Sequence, residues 1–276
     1  MSEPSATTSV RTRSDWLFFT LFGVIAGTYV LFLGALLVAD FAYMAGAAKD
    51  DAAVWSPILE ALSRPEIRAS IRLSLISCTI TTILSLWVAV PVGYLMSRCR
   101  FPGWNFVDAM LDIPIVLPPL VVGLSLLILF QFPPFAWLNR YVVYQTPAVI
   151  LAQFVVSAAF AVRTMRNTFD HLDPRREQVA LTLGCTRAQA FGLVTFPEAW
   201  PGIVTAGTLA WARALGEFGP LLVFAGATRY KTEVLSTTIF LELSIGNLQA
   251  AVAVSLIMVF AAVLVLMLTR IWGRQV

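Results

Sequence analysis

Two charged residues stand one helical turn apart inside an apolar run. Arg213 and Glu217, in the stretch ARALGEFGP from Ala212 to Pro220, have the i, i+4 spacing that lets side chains pair on one helix face. Charge inside an apolar span is costly and faces a cavity or a partner. A guanidinium offers planar donors suited to a tetrahedral dianion. Glu217 cancels that charge, so the pair either ties helices together or lines a path where an anion binds weakly and leaves. Gly216 and Gly219 flank the glutamate; they permit close helix approach, or a break that exposes backbone N–H groups. A second group is Pro114, Pro118 and Pro119 in LDIPIVLPPLVVG, Leu111 to Gly123. Interior prolines free carbonyls and kink helices, as in a pore lining or a gate. Asp108 and Asp112, one turn apart, either cap a helix or pair with Arg98 or Arg100.

Nothing in the chain points to catalysis. There is one histidine, His171, and no HExxH, and no nucleophile stands beside a base. Cys78, Cys99 and Cys185 form no CxxC; they read as small apolar residues, and no metal site is expected. Lys49 and Lys231 are the two lysines. Neither follows a glycine-rich loop, so no GxxxxGK[ST] phosphate cradle exists. If ATP and Mg drive this protein, another chain binds them. No cofactor is expected in this one, and no nucleic-acid partner.

The remaining polar stretch is EQVALTLGCTRAQAFGLVTFP, Glu177 to Pro197. Asp173-Pro174 is a helix start, with Asp as N-cap acceptor and Pro at the first helical position. Glu177, Ala180 and Gly184 recur at i, i+3 and i+7 and share a face. Gly184 suits the left-handed residue that ends a helix, and Thr186 can cap a second short helix. Small residues on one face suit close docking to another protein; an amphipathic helix lying on lipid is the alternative.

These residues are set among spans. The 276-residue chain is 58% hydrophobic and only 13% charged, against about 25% charged in soluble domains. Its solvent is lipid. About 20 apolar residues cross a bilayer as a helix, and six segments qualify: Trp16–Phe41, Ser70–Met96, Phe106–Phe130, Pro147–Met165, Pro201–Ala225 and Leu248–Trp272. The fourth is the shortest and weakest. The first follows Arg11 and Arg13 like a signal peptide, but its apolar run is too long for one, so it reads as a retained span. With both ends in the cytoplasm, eleven basic residues lie inside and seven outside, Arg213 being within a span. That bias favours both termini inside; Cys99 and Cys185 then face the cytoplasm. Between Tyr43 and Ala69 the outer loop carries Ser56-Pro57 and Arg64-Pro65, which predict a short helix between turns. The expected organisation is a cytoplasmic tail over 1–15 and a single all-α transmembrane domain over 16–276, with a helical loop at about 166–200.

The spacing E-x-x-A-x-x-x-G followed thirteen residues later by Pro, here Glu177, Ala180, Gly184 and Pro197, resembles the "EAA" loop of ABC importer permeases. Val179 stands where that family usually has Ala, and Thr195-Phe196 precedes Pro197 where a Leu is usual. LDIPIVLPPLVVG and ARALGEFGP resemble the molybdate, tungstate and sulfate group of these permeases over roughly residues 70–270. The stretch after Gly219 fits less closely and leaves the particular oxyanion open.

The resemblance implies a type I importer permease fold in a bacterial or archaeal cytoplasmic (inner) membrane. Two permease copies form the pathway, by default a homodimer. Two ATP-binding cassette subunits dock at Glu177, Ala180, Leu181, Gly184, Cys185 and Pro197. An outer binding protein delivers the oxyanion, and Arg213, Gly216, Glu217, Pro118 and Pro119 mark the path or its gate. An importer for another small solute is the alternative within this class. A stand-alone secondary transporter predicts paired broken helices in two similar halves; no such self-similarity is evident, and the polar loop is then unexplained.

Overall fold

The structure, a computed structural model, describes residues 13–47 and 56–273. The N-terminal tail with Arg11, the stretch with Lys49, and Arg274 lie outside the described residues. Every described element is helical. The chain divides into two compact units between Val54 and Trp55.

The first unit holds α1, Arg13–Ala47, a 35-residue helix. It is apolar all round, and its Thr20 and Thr28 hydroxyls fold back on the carbonyls of Trp16 and Val24 at 2.7 and 2.8 Å. A hydroxyl satisfied within its own helix can sit in lipid.

The second unit runs α2 (Ser56–Ser63), α3 (Pro65–Arg98), α4 (Trp104–Val116), α5 (Pro119–Leu129), α6 (Asn139–Val142), α7 (Thr146–His171), α8 (Pro174–Thr182), α9 (Arg187–Ala190), α10 (Phe196–Glu198), α11 (Trp200–Leu215), α12 (Leu235–Ser244) and α13 (Leu248–Gly273). Its centre is α7, packed on α3 and α11 through a cluster of Ala89, Ala161, Val162, Met165, Phe169, Ile203, Ala206 and Ala210. Small residues let the backbones close up. A Cβ on Gly93 would lie 2.8 Å from the Arg166 amide nitrogen, and one on Gly207 3.1 Å from Leu86 Cδ1. Polar residues lock the register: Thr81 Oγ1 donates to the Ile150 carbonyl and contacts Gln153 Oε1, both at 3.3 Å, and Gln153 Nε2 donates to the Ala214 carbonyl at 3.2 Å.

These contacts fix directions. Thr81 faces Gln153 and Gly93 faces Met165, so α3 and α7 run parallel. Gly202 meets Thr168 while Ala214 meets Gln153, so α11 runs antiparallel to both. Parallel neighbours require the chain between them to return to the opposite side. The pair α4 and α5 lies in that returning stretch.

Two expected spans are interrupted. α4 and α5 are bent by 111°. Leu117 precedes Pro118, and Pro118 precedes Pro119; a residue before proline is pushed out of the helical region, and both are extended, with ψ of 139° and 133°. Pro114, inside α4, leaves that helix unbroken. The fifth segment stops at Leu215, passes through Gly216–Gly219, and resumes at Pro220 as a π-helical turn, Leu221–Ala225.

Candidate functional site

The two interrupted spans meet. A Cβ on Gly123 would lie 2.7 Å from Pro220 Cα, and one on Gly219 would lie 3.1 Å from the Leu120 amide nitrogen and 3.2 Å from Pro119 Cβ. The stretches LDIPIVLPPLVVG and ARALGEFGP are thus in backbone contact. Beside this junction, Arg213 Nη1 lies 2.7 Å from Glu217 Oε1. The contact is an ion pair without hydrogen-bond alignment: Glu217 Oε1 is buried and has no hydrogen-bond partner. Glu217 is 1% exposed, and Ser236 Oγ donates to its backbone carbonyl at 2.6 Å. The Arg213 guanidinium is 5.5 Å from the Phe160 ring centroid and partly exposed. Of the residues expected to line the path, Pro118, Pro119 and Gly216 are exposed, and Glu217 is covered.

The polar loop is a built element. Asp173 Oδ1 accepts from the Arg175 amide at 3.0 Å, Gly184 has φ of +93°, and Thr186 caps α9 in a capping box with Gln189. The sequence-level face does not turn outward, however. Ala180 is buried within the chain. Glu177 accepts from Tyr94 Oη and from Thr195 Oγ1, and lies 3.9 Å from Arg98 Nε. Leu181 and Cys185 are half-buried; Gly184 and Pro197 are exposed. Beside exposed Arg175, Arg176, Gln178 and Arg187, the loop presents apolar side chains to solvent: Val179 is 57% exposed, Leu183 80% and Leu193 73%. A groove of about 640 Å³ runs between the end of α3 and this loop, lined by Tyr94, Arg98, Glu177, Leu181, Arg187 and Phe191 among others.

At the same end, Asp108 and Asp112 pair with neither Arg98 nor Arg100. Asp112 Oδ2 is 2.7 Å from Arg163 Nη2, and Asp108 binds Arg163 and Arg166, which joins α4 to α7. Trp104 stands between two cations, with Arg100 4.2 Å and Arg166 4.6 Å from its ring. Sequence spacing proposes neighbours along the chain; α4 packing on α7 brings closer ones.

The opposite end holds a second charged group, missed from sequence. Glu242, 3% exposed, binds Arg229 at 3.2 Å and Asn247 at 3.0 Å, with Arg64 at 3.5 Å. Glu233, 2% exposed, has an unpartnered Oε2. Burial pushes its carboxyl above the ordinary carboxylate range, with Thr238 and Arg229 opposing and Glu242 and Glu66 reinforcing the rise. The alternation of Arg and Glu through 60–72 and 229–242 was the available signal. Among the described residues no group of His, Cys, Asp or Glu stands together to hold a metal ion.

Parallel and antiparallel apolar helices, two interrupted apolar segments in contact, and a capped helical loop at one end fit a membrane-embedded transport subunit. Residues 89–276 match the family described as "Binding-protein-dependent transport system inner membrane component", and the chain belongs to that family of ABC importer permeases. It is 34% identical over 231 residues to the sulfate transport system permease protein CysT of Escherichia coli (strain K12), covering 80% of this chain and 83% of that one. It is 39% identical over 171 residues to the molybdate/tungstate transport system permease protein WtpB of Pyrococcus furiosus, covering 60% and 66%. A crystal structure of a bacterial ABC transporter that imports the acidic polysaccharide alginate shares the fold, with a TM-score of 0.75 at 17% identity over 96% of this chain and 97% of that one.

Proposed function

We propose that the chain carries a tetrahedral oxyanion (sulfate, molybdate or tungstate) inward across the cytoplasmic membrane. The names of its sulfate and molybdate/tungstate relatives support that substrate class. The pathway is formed with a second copy of the chain, an outer binding protein delivers the ion, and two ATP-hydrolysing subunits, which hold ATP and Mg, dock on the helical loop. The single observation that carries the coupling role is that capped loop, presenting Val179, Leu183 and Leu193 to solvent. A partner that buries them supplies the missing cover. Its contact face is α8 through Pro197, with Gly184 free to approach closely because nothing lies within 4 Å of its Cβ position.

Both termini face the cytoplasm, and six segments cross. The α4–α5 pair counts as one crossing, α11 with its π-helical turn as another, and α1, α3, α7 and α13 supply the rest. Arg213, Gly216, Glu217, Pro118 and Pro119 lie at the path. A pair that is nearly neutral suits an importer, because the ion must leave again and tight capture belongs to the binding protein. ATP-driven closure of the docked subunits draws the loops together and opens the path outward; hydrolysis resets it.

Co-purification from native membranes, followed by ATPase assay with binding protein loaded separately with sulfate, molybdate and tungstate, tests the proposal. An ATPase partner whose rate rises with one loaded oxyanion is the expected result. Recovery of the chain without any nucleotide-binding partner overturns it.

A further inference from the structure

On the reading that residues 174–198 couple this chain to an ATP-hydrolysing partner, we infer that Tyr94 and Arg98 of α3 are positioning residues of that coupling, holding Glu177 so that movement of α8 reaches α3. The joint draws on four elements. Tyr94 Oη donates to Glu177 Oε1. Arg98 Nε lies 3.9 Å from the other carboxylate oxygen, Oε2. Thr195 Oγ1, on the π-helical turn Phe191–Thr195 that follows α9, donates to that oxygen at 3.3 Å. Arg98 Nη2 also donates to the Leu172 carbonyl at 3.0 Å, at the C-terminal end of α7, where the helix dipole favours a cation.

Hydrogen bonds to a carboxylate are stronger and more directional than neutral ones. The Tyr94 ring is itself fixed, edge-on to Phe169 at 5.6 Å and to Phe191 at 4.8 Å. Phe169 is fully buried in α7. α3 cannot yield beneath this joint, because Gly93 lies against the backbone of Met165 and Arg166. A push on α8 is therefore delivered to the last turn of α3 and from there to the packed α3–α7 pair. Glu177 acts from inside the chain, while Val179 on α8 and Leu183 just after it stay exposed.

The test uses the reconstituted assembly of chain, ATPase partner and binding protein loaded separately with sulfate, molybdate and tungstate. Two quantities are read: oxyanion uptake per ATP hydrolysed, and the thermal unfolding midpoint. Tyr94→Phe keeps the ring and removes one hydroxyl; Glu177→Gln keeps the shape and removes the charge. Each lowers uptake per ATP by about tenfold, the factor that about 1.4 kcal/mol makes in an equilibrium. The double variant falls no further than either single one. Arg98→Lys retains more of the ratio than Arg98→Met.

Thr81→Val, which removes a hydroxyl bridging α3 to α7, is the comparator: it lowers the midpoint and leaves the ratio unchanged. A wild-type ratio in Tyr94→Phe overturns the inference, and so does an equal fall in Thr81→Val. A wild-type assembly that ignores the binding protein loaded with each of the three oxyanions overturns the proposed function and this inference with it, so the wild-type arm separates the two failures.

Discussion

Arg213 and Glu217 are a charge pair taken out of water, and such pairs cost nearly as much to bury as they return. Removing one partner leaves an uncompensated charge, at about 3–5 kcal/mol, whereas replacing both with apolar residues of similar size is often neutral. Arg213→Met alone, which leaves the covered Glu217 carboxylate unpaired, is therefore expected to lower the thermal midpoint sharply. The double variant Arg213→Met, Glu217→Leu recovers most of that loss yet stays transport-deficient, because the polar path is gone. Full transport by the stable double variant makes the pair purely structural. Glu233 gives a second expectation at this scale. Its folded-state carboxyl is raised above the unfolded value of about 4.3 by burial first, then by Glu242 and Glu66. The folded state holds a proton that the unfolded chain has released. The stabilising contribution is full below the unfolded value and is lost as pH rises through the folded one, with a slope of up to about 1.4 kcal/mol per pH unit. Midpoints measured across that window decline in the wild type. In Glu233→Gln that part of the decline disappears.

Among the elements, the broken spans depend on close approach at glycine. In Gly123→Ala the new Cβ meets Pro220 Cα at 2.7 Å and its carbonyl at 3.0 Å, backbone atoms that cannot swing aside. Overpacking of this kind costs about 1–3 kcal/mol, and uptake falls with it because α5 is driven from the Gly219–Pro220 turn. Gly192→Ala, with nothing within 4 Å, stays within about 0.5 kcal/mol of wild type. Equal midpoints in the two variants dismiss the junction. The same elements show what the sequence could carry. Asp173-Pro174, Gly184 and Thr186 announced α8 and α9 because caps are local chemistry. The fourth segment read as the weakest span because hydropathy measures transfer to lipid. α7 is the most buried of the long apolar helices, and its Gln153, Ser157 and alanines serve helix packing instead. Pro118 and Pro119 announced a kink, but whether a kink becomes a 111° break depends on what α5 packs against. The spacing of Glu177 and Ala180 told that they share a face; only tertiary packing decides that the face turns inward, toward Tyr94 and Arg98.

Across the whole molecule, charge is sorted between the two ends of the helix bundle. α3 and α7 run parallel, so Arg98 at the end of one and Arg163 and Arg166 near the end of the other lie together, with Arg175, Arg176 and Arg187 following in the loop. At the other end Arg64 and Arg229 are held by Glu60, Glu66 and Glu242. Basic residues hold back translocation of the segments that carry them, while acidic residues contribute little. This bias supports the proposal that the end carrying the loop faces the cytoplasm. The three cysteines report on this without engineering, since Cys99 is exposed, Cys185 partly so, and Cys78 buried. A membrane-impermeant maleimide is expected to label Cys99 and Cys185 in inside-out vesicles and neither in right-side-out ones, with Cys78 silent until the protein is denatured. Cys185 is also expected to lose reactivity when the ATPase partner is bound, since it lies between Gly184 and the cap of α9; Cys99, at the end of α3, keeps more of its own. Labelling of both from the outer side reverses the orientation of α3, α7 and α11 at once, because their directions are fixed relative to one another by Thr81, Gln153 and Gly202.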